Sequence, residues 1–597
     1  MVIEQNMVNR GDKMVDEIKE AFSKAEKIGV IGSPSSTGGL TIDVLGTAVN
    51  KKLVGSLCFF NYTQDNKDHC ALGQITEIKM RNVWTEDPTM RGLIRQKGKV
   101  DPITERQDTH TATMNISAVF SVGKEISQSM LGTVPSTGTL VKLVNDNILS
   151  HLLLNYKDEL FYLGKIYGTE NIKMPMWFKH FDRPQNGKFG VGEAYHLGIF
   201  GKTGSGKSVL AKMIIIAYSR HPKMSIFVLD PQGEFAKEFS PESKMGKFLK
   251  TNLKRKIKIL TLSNLVFDFD HELFKDLLIA SKFFDRLSIF YEPHIPRFID
   301  KFLTILEGRG TLNKEIKPWE YYKQEAFERI WSQIPTDNFL KDVIGSPEAR
   351  ERIKNKWNEI DSSRKEEMYK LWKGITNLFR YRGQNSIRLS EIFDKTLEEG
   401  SLVVIDLSAE DRPEELIWND EIQYIAIQQF LYGLKAHAEL LYKSGGNLNS
   451  LVVIDEAHRL APRDEPSFEV VKRIKYLLGD AVRTTRKYGL GWMFISQTLS
   501  SLDKEILNQL RVYIFGFGLG WGTELKALKE LIGGAESAIR LYQLFRDPQS
   551  SIGKKEFPFM ARGPISPLSF SDIPLFFTAL EYPDEFLKVN FGVKNES

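Results

Sequence analysis

The fold is decided by the stretch His196-Leu-Gly-Ile-Phe-Gly-Lys-Thr-Gly-Ser-Gly-Lys-Ser208. An apolar strand at 196–200 runs into a glycine-rich loop, and a helix-forming run follows at 209–218. A phosphate-binding loop (P-loop) needs this order, because glycines let backbone N–H groups turn inward around an anion and the following helix points its positive end at it. Lys207 would reach the β- and γ-phosphates of ATP, and Ser208 would bind Mg²⁺. The predicted nucleotide-binding residues are Gly201, Lys202, Thr203, Gly204, Ser205, Gly206, Lys207, Ser208 and Val209.

A second apolar strand, residues 451–454, ends in Asp455 and Glu456. This pattern is typical of the Walker B element, in which the first carboxylate holds Mg²⁺ and the second polarises the attacking water. A similar run at 402–405 ends in Asp406, but Leu407 follows it, so the general base is missing. We interpret that run as an ordinary strand of the same sheet.

Asp230 and Glu234 follow another strand, and the carboxyl edge of a parallel sheet is where α/β folds bind ligands. We predict that both carboxylates contribute to the magnesium site. The alternative is that Asp230 caps a turn at the strand end and Glu234 is a surface residue.

Three further side chains are predicted to act on the phosphates. Gln497 ends the strand 491–496 and would contact the γ-phosphate or the attacking water, unless it only caps its strand. Arg483 and Arg486 would stabilise charge on the nucleotide of an adjacent subunit as arginine fingers. The alternative for both arginines is a basic helix end that neutralises its own carbonyls.

The strand pattern divides the 597-residue chain into several units. Short β-type runs broken by polar turns fill residues 28–170, whereas residues 270–390 have helical periodicity. The predicted fold class is α/β: a RecA-like P-loop ATPase core with a helical insertion, preceded by an N-terminal β-barrel. We predict an N-terminal helical extension (1–27), the barrel (28–185), the first part of the core (186–268), the insertion (269–390), the second part of the core (391–560) and a C-terminal tail (561–597).

Bulk composition excludes several classes of protein. Two cysteines exclude a disulfide framework, and no apolar run approaches the roughly 20 residues of a membrane span. A net charge of +5 over so long a chain says little about nucleic acid, so any basic binding surface must be local. These features predict a cytoplasmic protein with no membrane partner.

Taken together, the motifs resemble the HerA family, which belongs to the HerA/FtsK group of hexameric DNA-translocating ATPases. The resemblance covers nearly the whole chain from residue 28: the β-rich N-terminal region is similar to the family's HAS barrel, and the helical insertion has its counterpart there. Thr498 and Gln232 depart from the family pattern, where Arg and His are frequent. The segments that carry the resemblance are Gly192–His196, Gly201–Ser208, Asp230–Glu234, Asp455–His458, Arg486–Gly489 and Ser496–Gln497.

The resemblance implies a homo-hexameric ring with nucleotide between neighbouring subunits and duplex DNA in the central channel. It also implies a separate effector subunit, such as a nuclease or an NAD-consuming enzyme, in DNA end processing or antiviral defence. Because the motifs serve either role, a ring that activates its effector as a nucleotide-gated scaffold stays an alternative to a DNA translocase.

Two other families share fragments of these motifs. Asp455-Glu-Ala-His458 also spells the DEAH-box signature, but the other helicase motifs and a second RecA-like lobe are missing from the sequence. Asp230-x-x-Gly233 mimics a GTPase switch, yet no Asn-Lys-x-Asp motif follows it. Neither an RNA-type helicase nor a GTPase is therefore expected.

Overall fold

The structure of the protein is a computed structural model. It describes residues 15–100, 104–123, 125–183, 190–287, 291–309, 314–397, 400–410, 412–533, 535–550, 552–570 and 572–593. The polar stretch Pro184-Gln-Asn-Gly187, whose composition predicts a linker between domains, lies outside these residues. No helix in the described ranges is long and apolar enough to cross a membrane.

The N-terminal part is a closed β-barrel. Its strands pair in the order β2-β1-β7-β3-β4-β5, and β5 pairs back with β2, which closes the barrel, while β6 extends from β5. Gly73 allows the two longest strands to cross closely, because a Cβ there would lie 2.1 Å from the Asn115 carbonyl oxygen. The strands are β1 (Lys27–Ile31), β2 (Leu40–Val44), β3 (Leu57–Gln64), β4 (Lys67–Arg81), β5 (Thr109–Val122), β6 (Ile126–Ser129) and β7 (Leu140–Leu143).

The predicted N-terminal helix exists as α1, residues 15–24. Its apolar side chains Ile18 and Phe22 are buried, and the Phe22 ring lies 5.0 Å from the ring of Phe59 in β3. The helix therefore packs against the barrel, as its amphipathic pattern predicts.

An 11-stranded sheet forms the ATPase core, in the order β12-β15-β11-β16-β17-β10-β18-β19-β20-β8-β9. The strands from β12 to β18 are parallel, and β19, β20, β8 and β9 add antiparallel pairs. The strands are β8 (Leu160–Ile166), β9 (Lys173–Trp177), β10 (Leu197–Phe200), β11 (Ser225–Asp230), β12 (Ile257–Leu260), β15 (Leu402–Asp406), β16 (Ser450–Ile454), β17 (Leu490–Ser496), β18 (Val512–Phe515), β19 (Pro558–Arg562) and β20 (Leu575–Ala579).

This sheet differs from the predicted domain boundaries at both ends. The strands β8 and β9 fall in the stretch predicted as barrel, and β20 falls in the predicted tail, yet all three belong to the ATPase sheet. The tail also contributes core residues, since Phe586 and Leu587 are buried. Short apolar strands carry no local mark of their partner, so their pairing is decided by tertiary packing.

Helices cover both faces of the sheet and form the predicted insertion. Between the small paired strands β13 (Leu265–Val266) and β14 (Ile387–Arg388), the described chain is helical, around buried aromatic residues such as Phe274 and Trp372. The remaining helices are α2 (Pro88–Lys97), α3 (Asp146–Leu152), α4 (Lys207–Ser219), α5 (Glu234–Phe239), α6 (Lys244–Thr251), α7 (His271–Ala280), α8 (Phe283–Leu287), α9 (Ile295–Leu306), α10 (Gln324–Gln333), α11 (Asp337–Val343), α12 (Pro347–Asn358), α13 (Ser362–Thr376), α14 (Leu389–Leu397), α15 (Asp420–Lys443), α16 (Ala457–Leu460), α17 (Glu469–Thr484), α18 (Lys504–Gln509), α19 (Gly522–Ile532), α20 (Glu536–Gln543) and α21 (Asp584–Phe591).

The strand order brings the predicted motifs to one edge of the sheet. The P-loop follows β10, the acidic pair follows β16, and Gln497 follows β17, which lies between them. Because the strands are parallel, their carboxyl ends meet. The similar run ending in Asp406 is β15, two strands beyond β16, and it is a plain sheet strand as predicted.

Candidate functional site

The loop between β10 and α4 has the backbone of a phosphate cradle. Gly204 has φ of 81° and Gly206 has φ of 88°, both in the left-handed region that glycine adopts at little cost. Gly206 caps the N-terminus of α4, so the helix directs its free N–H groups into the loop. An anion such as a nucleotide phosphate fits this site.

Lys207 lies inside the loop. Its Nζ donates to the Lys202 carbonyl oxygen at 3.1 Å, and the side chain is largely buried. Burial lowers the pKa of Lys207, while the nearby Glu456 and Asp455 carboxylates oppose that shift. The ammonium group is thus held where phosphate oxygens would replace the carbonyl.

Asp455 and Glu456 form the acidic part of the site. The Glu456 N–H donates to Asp455 Oδ1 at 2.9 Å, and Glu456 has φ of 50°, a strained value for a non-glycine residue. Burial, and after it the neighbouring Glu456, raise the pKa of Asp455 to about 7. Two adjacent carboxylates at the same sheet edge as the P-loop, which carries Ser208, suit a hard divalent cation.

No cluster of three or more His, Cys, Asp or Glu side chains that could hold a metal occurs among the described residues. Mg²⁺ commonly takes one or two protein ligands and completes its shell with phosphate and water. Ser208 and Asp455 fit that small donor set.

Gln497 connects the P-loop to the acidic pair. Its Oε1 accepts a hydrogen bond from Thr203 Oγ1 at 2.8 Å, and its Nε2 donates to Glu456 Oε1 at 2.6 Å. Glu456 Oε2 is buried and has no hydrogen-bond partner in the described chain; His458 Nδ1 lies 3.4 Å away. One carboxylate oxygen of Glu456 is therefore fixed and the other is left to accept a proton.

Sequence reasoning gave no role to Thr203 beyond the loop or to His458. His458 Nδ1 also lies 3.3 Å from Ser496 Oγ, so this histidine lies beside both Glu456 and the end of β17. Burial lowers the pKa of His458, against the opposing effect of Glu456. In the sequence, the position of His458 in this site is indicated only by its place in the Asp455–His458 motif.

Asp230 and Glu234 lie at the same sheet edge but are engaged elsewhere. Asp230 is fully buried, and its carboxylate accepts from the N–H groups of Glu234 at 3.2 Å and Ala236 at 2.9 Å in the first turn of α5. Glu234 Oε1 accepts from Lys212 Nζ at 2.8 Å. These contacts favour the capping alternative for Asp230, and a metal role for the pair stays a prediction.

Arg483 and Arg486 lie at the opposite edge of the sheet, before β17 begins. The seven residues of β17 separate that edge from the P-loop edge by about 20 Å, too far for contact within one chain. Arg486 is half-exposed and pairs with Glu193 at 3.1 Å, and Arg483 lies 3.6 Å from Glu505. Their predicted role in trans requires a second subunit.

Comparison with known proteins finds HerA helicases among the relatives of this chain. The model of the family described as "Helicase HerA, central domain" matches residues 194–420, which include the P-loop. The DNA double-strand break repair helicase HerA of Sulfurisphaera tokodaii is 24% identical over 461 residues, covering 75% of this chain and 76% of the relative. The HerA of Pyrococcus furiosus is 25% identical over 389 residues, covering 60% of this chain and 63% of the relative.

Solved structures matched by this chain include VirB4 of Thermoanaerobacter pseudethanolicus, with a TM-score of 0.37 and 14% identity over 71% of this chain and 97% of that one. Another is the coupling protein TrwB bound to ADP and Mg²⁺, with a TM-score of 0.35 and 13% identity over 64% of this chain and 84% of that one. The P-loop, the acidic pair and the strand between them, together with the family match, lead to one conclusion. The chain is a P-loop ATPase that is similar in sequence to the HerA helicases.

Proposed function

We propose that the protein hydrolyses ATP, with Mg²⁺, in a homo-hexameric ring and uses the energy to translocate on duplex DNA or unwind it. The observation that carries the proposal is the chain of hydrogen bonds from Thr203 through Gln497 to Glu456. It joins the loop that would bind the phosphates to the carboxylate that would activate water, as a nucleotide-hydrolysing site requires. The DNA substrate is inferred from the HerA relatives, which are DNA double-strand break repair helicases.

Each side chain has a distinct part in hydrolysis. The Lys207 ammonium would exchange the Lys202 carbonyl for phosphate oxygens and offset their charge. Glu456 would take the proton of the attacking water on Oε2, which has no hydrogen-bond partner among the described residues, while Gln497 holds Oε1. Bound Mg²⁺, held by Ser208 and Asp455, would supply additional charge compensation.

The position of the arginines supports the proposed ring. Arg486 and Arg483 lie at the edge of the sheet away from the P-loop of their own chain. We propose that Arg486, with Arg483 as the second candidate, reaches the nucleotide bound by a neighbouring subunit. An arginine supplied in trans is worth about 10³ or more in rate in other P-loop enzymes.

A scaffold that acts through an effector subunit is the second candidate. The end of β4 and the turn after it expose Met80, Val83 and Trp84, with 60%, 65% and 53% of their surface accessible. Adjacent large apolar side chains on a surface mark interaction sites. We propose that a separate effector, such as a nuclease or an NAD-consuming enzyme, contacts this end of the barrel.

The test is ATP hydrolysis by the purified protein with and without linear duplex DNA, with the oligomer mass measured in the same samples. We expect DNA-stimulated hydrolysis by a hexamer. Glu456→Gln should lower the rate about 10²-fold or more while ATP still binds, and Lys207→Ala should lose binding. Hydrolysis indifferent to DNA would refute the translocase and favour the scaffold, and a Glu456→Gln variant at full rate would refute the role of that carboxylate.

A further inference from the structure

The loop between α20 and β19 reaches back to the P-loop from the C-terminal part of the chain. Gln549 Nε2 lies 3.5 Å from the Gly204 carbonyl oxygen, and a Cβ on Gly204 would lie 2.8 Å from that nitrogen. A Cβ on Gly206 would lie 2.8 Å from the Phe557 ring. Both P-loop glycines are thus in close contact with side chains some 350 residues further along the chain.

These contacts lie on the nucleoside side of the cradle. Glu456 and Gln497 follow β16 and β17, on one side of β10, whereas β18 and β19 lie on the other. Because β19 is antiparallel to β18, its first residues are at the P-loop edge, where Phe557 precedes Pro558. A triphosphate whose γ-phosphate faces Gln497 directs its α-phosphate and nucleoside away from β17, toward Phe557.

The surface there is suited to an aromatic ring. Phe557 and Val209 are both only partly buried, and each packs its inner side against the core. The Phe557 carbonyl oxygen accepts from the Ala579 N–H at 2.9 Å, which ties its backbone to β20. A fixed aromatic face that is open on one side is a stacking platform for a nucleobase.

We propose that Phe557, together with Val209 in the first turn of α4, forms the wall that contacts the nucleobase of the bound nucleotide. Gln549 contacts the P-loop backbone at Gly204, and its Oε1 accepts from Lys555 Nζ at 3.1 Å. The inference rests on the proposed function in one respect, that the P-loop binds ATP.

The experiment compares ATP with inorganic tripolyphosphate, which has the phosphates but no base, by calorimetric binding with Mg²⁺ present. Phe557→Ala should raise the Kd of ATP about 10-fold and leave the Kd of tripolyphosphate unchanged, and Phe557→Tyr should restore ATP binding. The control is Phe591→Ala, another partly buried phenylalanine packed against the same core but in α21. It should change neither Kd.

Two outcomes would overturn the inference while leaving ATP binding by the P-loop intact. If Phe557→Ala lost affinity for ATP and for tripolyphosphate equally, the phenyl ring would only support the P-loop. Equal affinity of the unaltered protein for both ligands would mean that the base makes no contact. A failure of the proposed function would give another result, because Lys207→Ala would then bind ATP with unchanged affinity.

Discussion

Gln497 links the P-loop to the acidic pair by hydrogen bonds. Its amide oxygen accepts from Thr203 in the P-loop, and its amide nitrogen donates to Glu456 at 2.6 Å. Removal of this side chain leaves both the loop and the carboxylate in place but unconnected. The loss should therefore fall on the chemical step rather than on binding.

For Gln497→Ala we expect a kcat for ATP hydrolysis about 100-fold lower, with little change in KM. Steady-state kinetics over a range of ATP concentrations measure both constants. Gln333→Ala serves as the control, because this exposed glutamine ends α10 in the insertion. A raised KM at unchanged kcat would instead assign Gln497 to ground-state binding, and unchanged kinetics would leave it as a strand cap.

At the scale of residues, the sequence predicts what is local. Lys207 and Glu456 can be identified from their neighbours in the sequence. A glycine-rich loop after a strand and a pair of carboxylates at a strand end are both motifs of a few residues. Phe557 has no such signal. It meets Gly206 only because β19 folds back beside β18, so its position depends on the tertiary structure.

His196 ties three elements together at the start of β10. Its Nε2 donates to the Val482 carbonyl oxygen in α17 at 2.9 Å, and its Nδ1 accepts from the Trp492 N–H in β17 at 3.2 Å. The contact with Trp492 requires the neutral ring, since protonation would set an N–H of Nδ1 against that of Trp492. The contacts hold α17, which carries Arg483 near its end, against the strand that leads to the P-loop.

This arrangement makes stability depend on pH. Burial lowers the pKa of His196 from 6.5 to about 4, so the unfolded chain binds more protons between these values and stability falls as the pH drops through that window. From pH 7 to pH 5 the loss should be roughly 2 kcal/mol for this group.

Urea unfolding at pH 7 and pH 5 measures this loss, and His196→Gln should reduce the difference between the two free energies of unfolding. Part of the difference in free energy of unfolding should remain because of His221. Burial also lowers the pKa of His221 to about 4. The double variant His196→Gln/His221→Gln should reduce the difference further. An undiminished difference in the double variant would contradict the assignment.

At the scale of elements, whether a segment is a helix or a strand is easier to predict than which strands pair with one another. The helical insertion and the strands around the site follow from periodicity and from the runs of β-branched residues. The assignment of β8 and β9 to the barrel was wrong, because Phe577 and its neighbours in β20 pair with β8 across more than 400 residues of sequence. Contacts of that span leave no trace in a local pattern.

The whole chain is built so that the barrel is fastened to the ATPase. Gln74 of the barrel is buried, donates to the Phe576 carbonyl oxygen at 3.0 Å and accepts from the Phe576 N–H at 2.8 Å. Arg540 in α20 pairs with Glu77 of the barrel at 2.8 Å. A movement of α20 or β20 would therefore act directly on the barrel through these contacts.

The arginine proposed to act on the nucleotide lies far from the P-loop of its own chain. The P-loop lies at one edge of the sheet and Arg486 at the other, half-exposed and paired with the exposed Glu193. A closed ring solves this problem, because a head-to-tail interface brings unlike edges of neighbouring subunits together. Each site would then be shared by two chains.

Mixing two inactive variants tests that arrangement. Arg486→Ala subunits keep an intact P-loop, Lys207→Ala subunits keep an intact arginine, and each alone should be nearly inactive. Unfolding and reassembly of an equal mixture should restore activity, because about a quarter of the interfaces in a randomly assembled ring would pair an intact P-loop with an intact arginine. A matched mixture of Lys207→Ala with Glu456→Gln/Arg486→Ala should stay inactive, since its intact P-loops lack the carboxylate of their own chain. Full activity of Arg486→Ala alone would exclude this arginine and direct the same experiment to Arg483.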